Sequence, residues 1–208
     1  MPLDEETRNP PQKASDASCG PAAAAWLELS EFDNSDYDPG RGIVVRTLWY
    51  FCSVALFESG WLPVSGLKIR LLQLFGARVG SGVVIKPNVR IKFPWRLKVG
   101  DHCWIGQQVW IDNLDDVEIG DNVCISQLCY LCTGSHDHRL RTFDLIIRPI
   151  RVGDGAWLGA RSTIFQGVAI GANALVAGGS VVKENVAPAA IVSGNPATVV
   201  SRRTAPSN

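Results

Sequence analysis

The stretch that decides the fold is VGDGAW-LGARST-IFQGVA-IGANAL-VAGGSV-V, residues 152–182, where an aliphatic residue opens every block of six. The same beat runs backwards through the chain: Ile119, Ile125 and Leu131; Val99, Ile105 and Ile111; Val79, Ile85 and Ile91. Glycine directly follows seven of these fifteen starts, at Gly80, Gly100, Gly106, Gly120, Gly153, Gly159 and Gly171. Four residues after most starts comes a small or β-branched residue, among them Val83, Cys103, Val123, Cys129, Ala156, Ser162, Ala174 and Ser180. Six residues are too few for a strand–helix–strand unit but suit a short strand and a corner. Three blocks make one coil of a triangular prism, and stacked coils form parallel sheets with strands about 4.8 Å apart. The sequence therefore predicts an all-β solenoid, a parallel β-helix of about five coils.

The interruptions support that grouping. Two extra residues separate Ile91 from Val99, and Ile111 from Ile119, once per three blocks. Between Leu131 and Val152 the beat is lost, so residues 136–151 are expected to leave the prism as an extruded loop. The prism itself is expected over residues 77–187. Solenoid ends need caps. Residues 26–76 are expected to supply an N-terminal arm and helical cap, and residues 188–208 a short C-terminal cap and tail. Residues 1–25, rich in Pro, Ala, Ser and acidic residues, read as a disordered tail with little to offset ordering entropy. Within the N-terminal cap, residues 43–61 are markedly apolar, yet their uncharged run of eleven, residues 47–57, is too short to span a bilayer. A helix packed on protein is expected there, with an interfacial membrane helix as the competing reading. A second helix is expected over residues 64–75, with Leu67, Leu71, Leu74 and Phe75 on one side and Gly76 as its stop.

The 208 residues carry 20 basic and 20 acidic side chains, so no net field draws the whole molecule to nucleic acid. The N-terminus lacks the basic and apolar regions of a secretory signal. Of six cysteines, Cys103, Cys124, Cys129 and Cys132 fall inside the ladder, and Cys103 and Cys129 take the small inward slot, where a thiol acts as a compact hydrophobe. One C-x-x-C with no second pair is a poor zinc site, so no metal is expected. These features predict a cytoplasmic protein, with residues 43–61 offering peripheral contact with the inner face of a membrane.

Chemistry is expected where the repeat breaks. The chain has three histidines, and two of them, His136 and His138, stand at that break; His102 is isolated in a coil. Imidazole, with an ordinary pKa of about 6.5, can take a proton from a hydroxyl at neutral pH without a metal. His136 closes the block that starts at Leu131, so a rigid coil fixes its backbone as a general base requires. His138 lies two residues further out, as a loop or substrate contact. The plainer alternative is a solvated polar loop.

Several motifs carry a resemblance. Thr133-Gly134-Ser135-His136, Trp157-Leu158-Gly159-Ala160, Gly167-Val168-Ala169-Ile170-Gly171, Gly178-Gly179-Ser180-Val181-Val182 and Ser193-Gly194-Asn195-Pro196-Ala197 resemble the hexapeptide-repeat acyltransferases. With Pro94-Trp95, Trp104-Ile105-Gly106 and Trp110-Ile111-Asp112-Asn113-Leu114, the chain looks most like the WcaF-like, colanic-acid biosynthesis group of acetyltransferases. The resemblance covers most of residues 43–200. It implies a left-handed parallel β-helix, a homotrimer, and acetyl-CoA as co-substrate in the groove between neighbouring prisms. It also implies direct O-acetylation of a sugar hydroxyl on an exopolysaccharide precursor, with His136 as base. Trp157, Ala160, Gly178, Lys183, Asn195 and Pro196 would lie along the CoA groove, and Asp112, Asn113 and His138 on the sugar side. Relatives often carry Thr-Lys where this chain has Lys183-Glu184, which leaves the CoA phosphate contacts open.

Other readings compete. Cys132, four residues before His136, could serve as the nucleophile of an acyl-enzyme. An amino sugar or another glycoside could be the acceptor. A non-catalytic β-helix scaffold would bind no acetyl-CoA, and a zinc hydratase on this fold would need histidines spread over adjacent coils.

Overall fold

The computed structural model describes residues 25–205, so the expected tail, Ala25 excepted, lies outside the described residues. Each block of six becomes one short strand and one corner. The first coil is β1 (Arg78–Val79), β2 (Val84–Ile85) and β3 (Arg90–Ile91). The second is β4 (Leu97–Val99), β5 (Trp104–Ile105) and β6 (Trp110–Asp112), and the third is β7 (Val117–Ile119), β8 (Cys124–Ile125) and β9 (Tyr130–Cys132). A hairpin of β10 (Gly134–His136) and β11 (Leu145–Ile147) then leaves the prism. The fourth coil is β12 (Ile150–Val152), β13 (Trp157–Leu158) and β14 (Thr163–Ile164); the fifth is β15 (Ala169–Ile170), β16 (Leu175–Val176) and β17 (Val181–Val182). A sixth, partial turn begins where Val186 bridges Ile170 and continues as β18 (Ala190–Gly194), which folds back on itself as antiparallel β19 (Ala197–Arg202).

Three sheets result, with orders β1-β4-β7-β12-β15, β2-β5-β8-β13-β16-β18-β19 and β3-β6-β9-β14-β17. The sequence expectation of a solenoid with an N-terminal helical cap matches this architecture, with the extra partial turn as the difference in coil number. The loop boundaries need correction. The excursion runs from Gly134 to Ile147, because Ile150 and Val152 are buried and pair with Val117 and Ile119 in the first sheet.

The seven glycines after the block starts have a shared cause, which is the closeness of the coil above. A Cβ on Gly159 would sit 2.6 Å from the Gly178 nitrogen and 2.7 Å from the Val176 oxygen. On Gly153 it would sit 2.7 Å from the Ala172 nitrogen. Those neighbours are backbone and cannot swing aside. Gly159→Ala is therefore expected to cost about 1–3 kcal/mol through overpacking. Thermal melting reads this out, and an unchanged midpoint would contradict the close-stacking account.

The corner between the first and second sheets needs a left-handed backbone in every coil, met by Gly82, His102, Asn122, Gly155 and Asn173 with φ between 55° and 66°. His102 is thus part of a corner column, and this accounts for a histidine isolated in a coil. Inside the prism, Ile85, Ile105, Ile125, Leu158 and Val176 stack as one buried column. Cys103 and Cys129 fill small inward slots, their thiols donating to the Gly120 and Gly159 carbonyls at 2.9 and 3.1 Å.

Two helices close the first coil. Helix α1 (Ile43–Cys52) runs on as a π-helical turn over Ser53–Glu58, and α2 (Ser65–Leu74) ends at Gly76, φ +99°. Trp49, Phe57 and Leu72 are buried against the prism, and the Trp49 indole donates to the Ile91 carbonyl at 2.9 Å. No helix among the described residues is long and apolar enough to cross a membrane.

Candidate functional site

The corner between the third and first sheets carries the hairpin with His136, and buried polar side chains hold it. Asn113 is fully buried; its Oδ1 accepts the Phe93 N–H at 3.0 Å, and its Nδ2 donates to the Phe93 and Arg96 carbonyls at 2.7 and 3.1 Å. One coil on, Thr133 is fully buried, with its hydroxyl donating to the Asp112 carbonyl at 3.1 Å and accepting the Asp115 N–H at 2.9 Å. These bonds tie three successive corners together and fix the foot of the β10–β11 hairpin. Asn113, expected on the sugar side, is corrected on this point: both ends of its amide serve the corner, and no part of it meets solvent.

The hairpin pairs Gly134 with Ile147, Ser135 with Ile146 and His136 with Leu145. The His136 Nδ1 lies 2.8 Å from the Phe143 carbonyl oxygen. A carbonyl only accepts, so Nδ1 carries the proton and the lone pair of the neutral ring sits on Nε2. Phe143 stacks flat on the imidazole, with centroids 4.4 Å apart and planes 3° from parallel, and Phe32 meets it edge-on at 5.4 Å. Phe32 reaches the hairpin because the N-terminal arm docks on it. The Glu28 N–H donates to the Arg141 carbonyl at 2.9 Å, and the Arg141 guanidinium pairs with Glu28 and Glu31. In the hairpin turn, Arg139 grips the Asp137 carboxylate through Nε and Nη2 at 2.8 and 2.6 Å, which holds its pKa down at about 2. That carboxylate is committed to the turn. Nothing in the hexad spacing announces Phe143, Phe32 or the Arg141 clamp.

His136, His138 and Lys183 line one hollow of about 460 Å³, together with Ser135, Arg148 and Phe165. Lys183 arrives from the fifth coil, with Nζ 5.6 Å from the Phe165 ring centroid. His138 is exposed at its rim. Trp157, Ala160, Gly178, Asn195 and Pro196 stand elsewhere, on the corner between the second and third sheets. Pairing of Leu158 with Val176, and of Val176 with Val192, stacks Ala160, Gly178 and Gly194 in successive coils. This makes a column of small residues: a Cβ on Gly178 would lie 3.1 Å from the Ala160 oxygen, which already accepts the Gly179 N–H at 2.8 Å. The Ala160 N–H donates to no backbone carbonyl among the described residues. Trp157 flanks the column, 45% exposed, its indole N–H donating to the Ser126 hydroxyl at 2.9 Å. Asn195 and Pro196 form the exposed turn between β18 and β19.

Asp112 lies in a third place, a hollow of about 560 Å³ between α1 and the outer face of the third sheet, beside Trp110, Arg90, Lys92 and Arg46. It pairs with Lys92 at 2.9 Å and accepts the Tyr130 hydroxyl at 3.1 Å. Burial, the Cys132 thiol and the Asp112 charge all push the Tyr130 hydroxyl pKa upward, so it stays a donor. Asp112 does not share a hollow with His136, although its carbonyl braces the hairpin foot through Thr133. Cys132 is 8% exposed, its sulfur 3.1 Å from the Tyr130 hydroxyl oxygen and its thiol donating to the Gly134 carbonyl at 3.0 Å. Its thiol is engaged away from the imidazole. Among the described residues no three His, Cys, Asp or Glu side chains group as metal ligands.

Comparison with known proteins places this arrangement. The family described as hexapeptide repeat of succinyl-transferase matches residues 149–184. WcaF of Escherichia coli (strain K12), whose name assigns it by inference to colanic acid biosynthesis as an acetyltransferase, is 39% identical over 178 residues, 85% of this chain and 97% of its own length. The galactoside O-acetyltransferase of the same organism is 29% identical over 133 residues, 62% of this chain and 66% of that protein. The crystal structure of the hexapeptide-repeat acetyltransferase VCA0836 of Vibrio cholerae, complexed with acetyl coenzyme A, superposes with a TM-score of 0.69 at 26% identity, covering 76% of this chain and 87% of that one. With a relative so similar along nearly its whole length, the chain belongs to the hexapeptide-repeat acetyltransferases.

Proposed function

We propose that the protein transfers an acetyl group directly from acetyl-CoA to a sugar hydroxyl, on an exopolysaccharide precursor of the colanic-acid kind. The observation that carries the mechanism is the 2.8 Å contact between the His136 Nδ1 and the Phe143 carbonyl, which leaves Nε2 as the basic atom. Nε2 takes the hydroxyl proton as the sugar oxygen attacks the thioester carbon. Backbone N–H groups, the Ala160 N–H among them, stabilise the tetrahedral oxyanion. The carbon–sulfur bond then breaks, and the imidazolium returns its proton to the departing CoA sulfur.

His136 and the Ala160–Gly178–Gly194 column occupy different corners of one prism, so this chemistry needs the hairpin edge of one copy beside the small-residue edge of another. A homotrimer satisfies that need. The outer face of the second sheet, with Val84, Trp104, Cys124, Trp157, Leu175 and Ile191 in register, supplies an apolar surface for it. Trp157, Gly178, Asn195 and Pro196 then line the pantetheine path, while Lys183 and His138 approach from the histidine side. Asp112, with Trp110 as a stacking surface, serves the acceptor. The free cysteines and a donor made in the cytosol fit a cytoplasmic enzyme.

Calorimetric titration with CoA, followed by assay of CoA release with a panel of sugars, amino sugars and lipid-linked oligosaccharides, tests this reading. Binding of CoA and turnover with a hydroxyl acceptor are expected, and Cys132→Ala should retain near-normal turnover. Absence of CoA binding would favour the scaffold reading. Selective turnover of amino sugars would move the proposal to N-acetylation, and loss of activity in Cys132→Ala would favour an acyl-enzyme.

A further inference from the structure

The chain is neutral as a whole. The arm over residues 26–40 carries five acids, of which Glu28 and Glu31 pair with Arg141 on the hairpin, but the two helices and the start of the first coil are basic. Between residues 41 and 86 stand six basic residues, Arg41, Arg46, Lys68, Arg70, Arg78 and Lys86, against the single acid Glu58. Lys68 is buried and donates to the Lys86 carbonyl at 3.0 Å, which leaves five basic residues outside the core and a surplus of four. Glu58 is itself paired with Arg90 from outside that segment, at 3.3 Å.

The same cap exposes an apolar face. Helix α1 buries Trp49 toward the prism and turns Ile43, Val44, Leu48, Tyr50 and Phe51 outward, each more than half exposed. At 100° per residue these positions, with Thr47, cover an arc of roughly 160° that holds no charged side chain. Val54 and Ala55 extend the arc into the π-helical turn. Trp61, 64% exposed, folds back on its end, its indole N–H donating to the Ala55 carbonyl at 2.6 Å. On α2, Leu67, Arg70 and Leu74 are exposed at helical spacing.

We propose that this cap docks the protein on an anionic lipid surface, with α1 lying flat in the headgroup region. Three features select that occupant. The surplus charge complements anionic headgroups, and each basic residue near such a surface adds to binding. The uncharged arc is a helix face of the kind that buries at the acyl boundary, while α1 is too short to cross the bilayer. Trp61 and Tyr50, each with an apolar body and a polar tip, are the side chains favoured at that depth. A second copy of the chain is a poor occupant, because two caps of like charge would be pressed together.

Flotation of the full chain with vesicles tests the proposal, comparing phosphatidylcholine alone with phosphatidylcholine mixed with phosphatidylglycerol. The protein is expected to rise with the mixed vesicles and remain behind with the neutral ones. Arg41→Glu with Arg70→Glu should weaken partitioning by about tenfold or more. Leu48→Glu with Val54→Glu should abolish flotation, while the melting temperature and CoA release with a soluble acceptor stay unchanged. Failure of the wild-type chain to float with anionic vesicles would overturn the proposal. So would flotation that ignores both lipid charge and the arginine reversals. A fall in sedimenting mass for Leu48→Glu with Val54→Glu, with no flotation of the wild type, would assign the face to a second copy and overturn it equally.

Discussion

Replacing His136 by alanine is expected to lower kcat by about 10²–10⁴-fold, the usual contribution of a positioned general base. Affinity for CoA and the melting temperature should stay close to those of the wild type. The separation follows from placement: the imidazole stands on the hairpin, held by the Phe143 carbonyl and ring, while the small-residue column that we assign to CoA lies on another corner. Single-turnover acetyl transfer, paired with calorimetric CoA binding, checks both halves. Full activity in the variant would overturn the histidine-base mechanism. A large loss of CoA affinity with little change in kcat would mean that His136 holds the donor instead.

Leu131→Ala is expected to destabilise the protein by about 2–5 kcal/mol. Leu131 is fully buried in β9, paired with Ile111 below and Ile164 above, so the lost volume opens a cavity with coils on both sides. Coil-to-coil stacking is rigid along the prism axis, which limits relaxation into the gap. Leu128, three positions earlier and 39% exposed on a corner, provides the control, since its alanine variant should shift stability by less than about 0.5 kcal/mol. Chemical denaturation at a fixed protein concentration measures both. Equal effects at the two sites would contradict an inward-facing Leu131.

The prism was the most legible part of the sequence, because one physical rule repeats fifteen times. An aliphatic residue inward marks each strand, and a glycine where the next coil presses close marks seven of the fifteen, without any long-range information. The start of β12, Ile150-Arg151, falls in the expected loop for an instructive reason, although Val152 is placed in the prism. Its in–out–in pattern is visible, but its partner is Val117-Glu118-Ile119, 33 residues away, and a strict six-residue count cannot find it across a hairpin. The site was legible only in part. His136 could be named because it stands at the break, whereas the contacts that hold its ring come from Phe143, with a left-handed φ of 55° and the carbonyl that sets the tautomer, and from Phe32 on an arm more than 100 residues upstream. Neither leaves a local pattern. Asn113 shows the opposite error: the family resemblance implies a place on the sugar side, while alternation along the chain turns it inward.

The coil that carries the hairpin is 13 residues longer than the one before it, yet β12, β13 and β14 sit on β7, β8 and β9 with their pairing unbroken. The corner therefore works as a port, where chain can be added without changing the thread of the screw. Lengthening a flexible loop is cheap, at about 0.6 kcal/mol for each doubling. A lineage of such proteins can exchange the reactive arm wholesale while keeping the same shaft, so specificity for the acceptor can diverge faster than the fold that presents it.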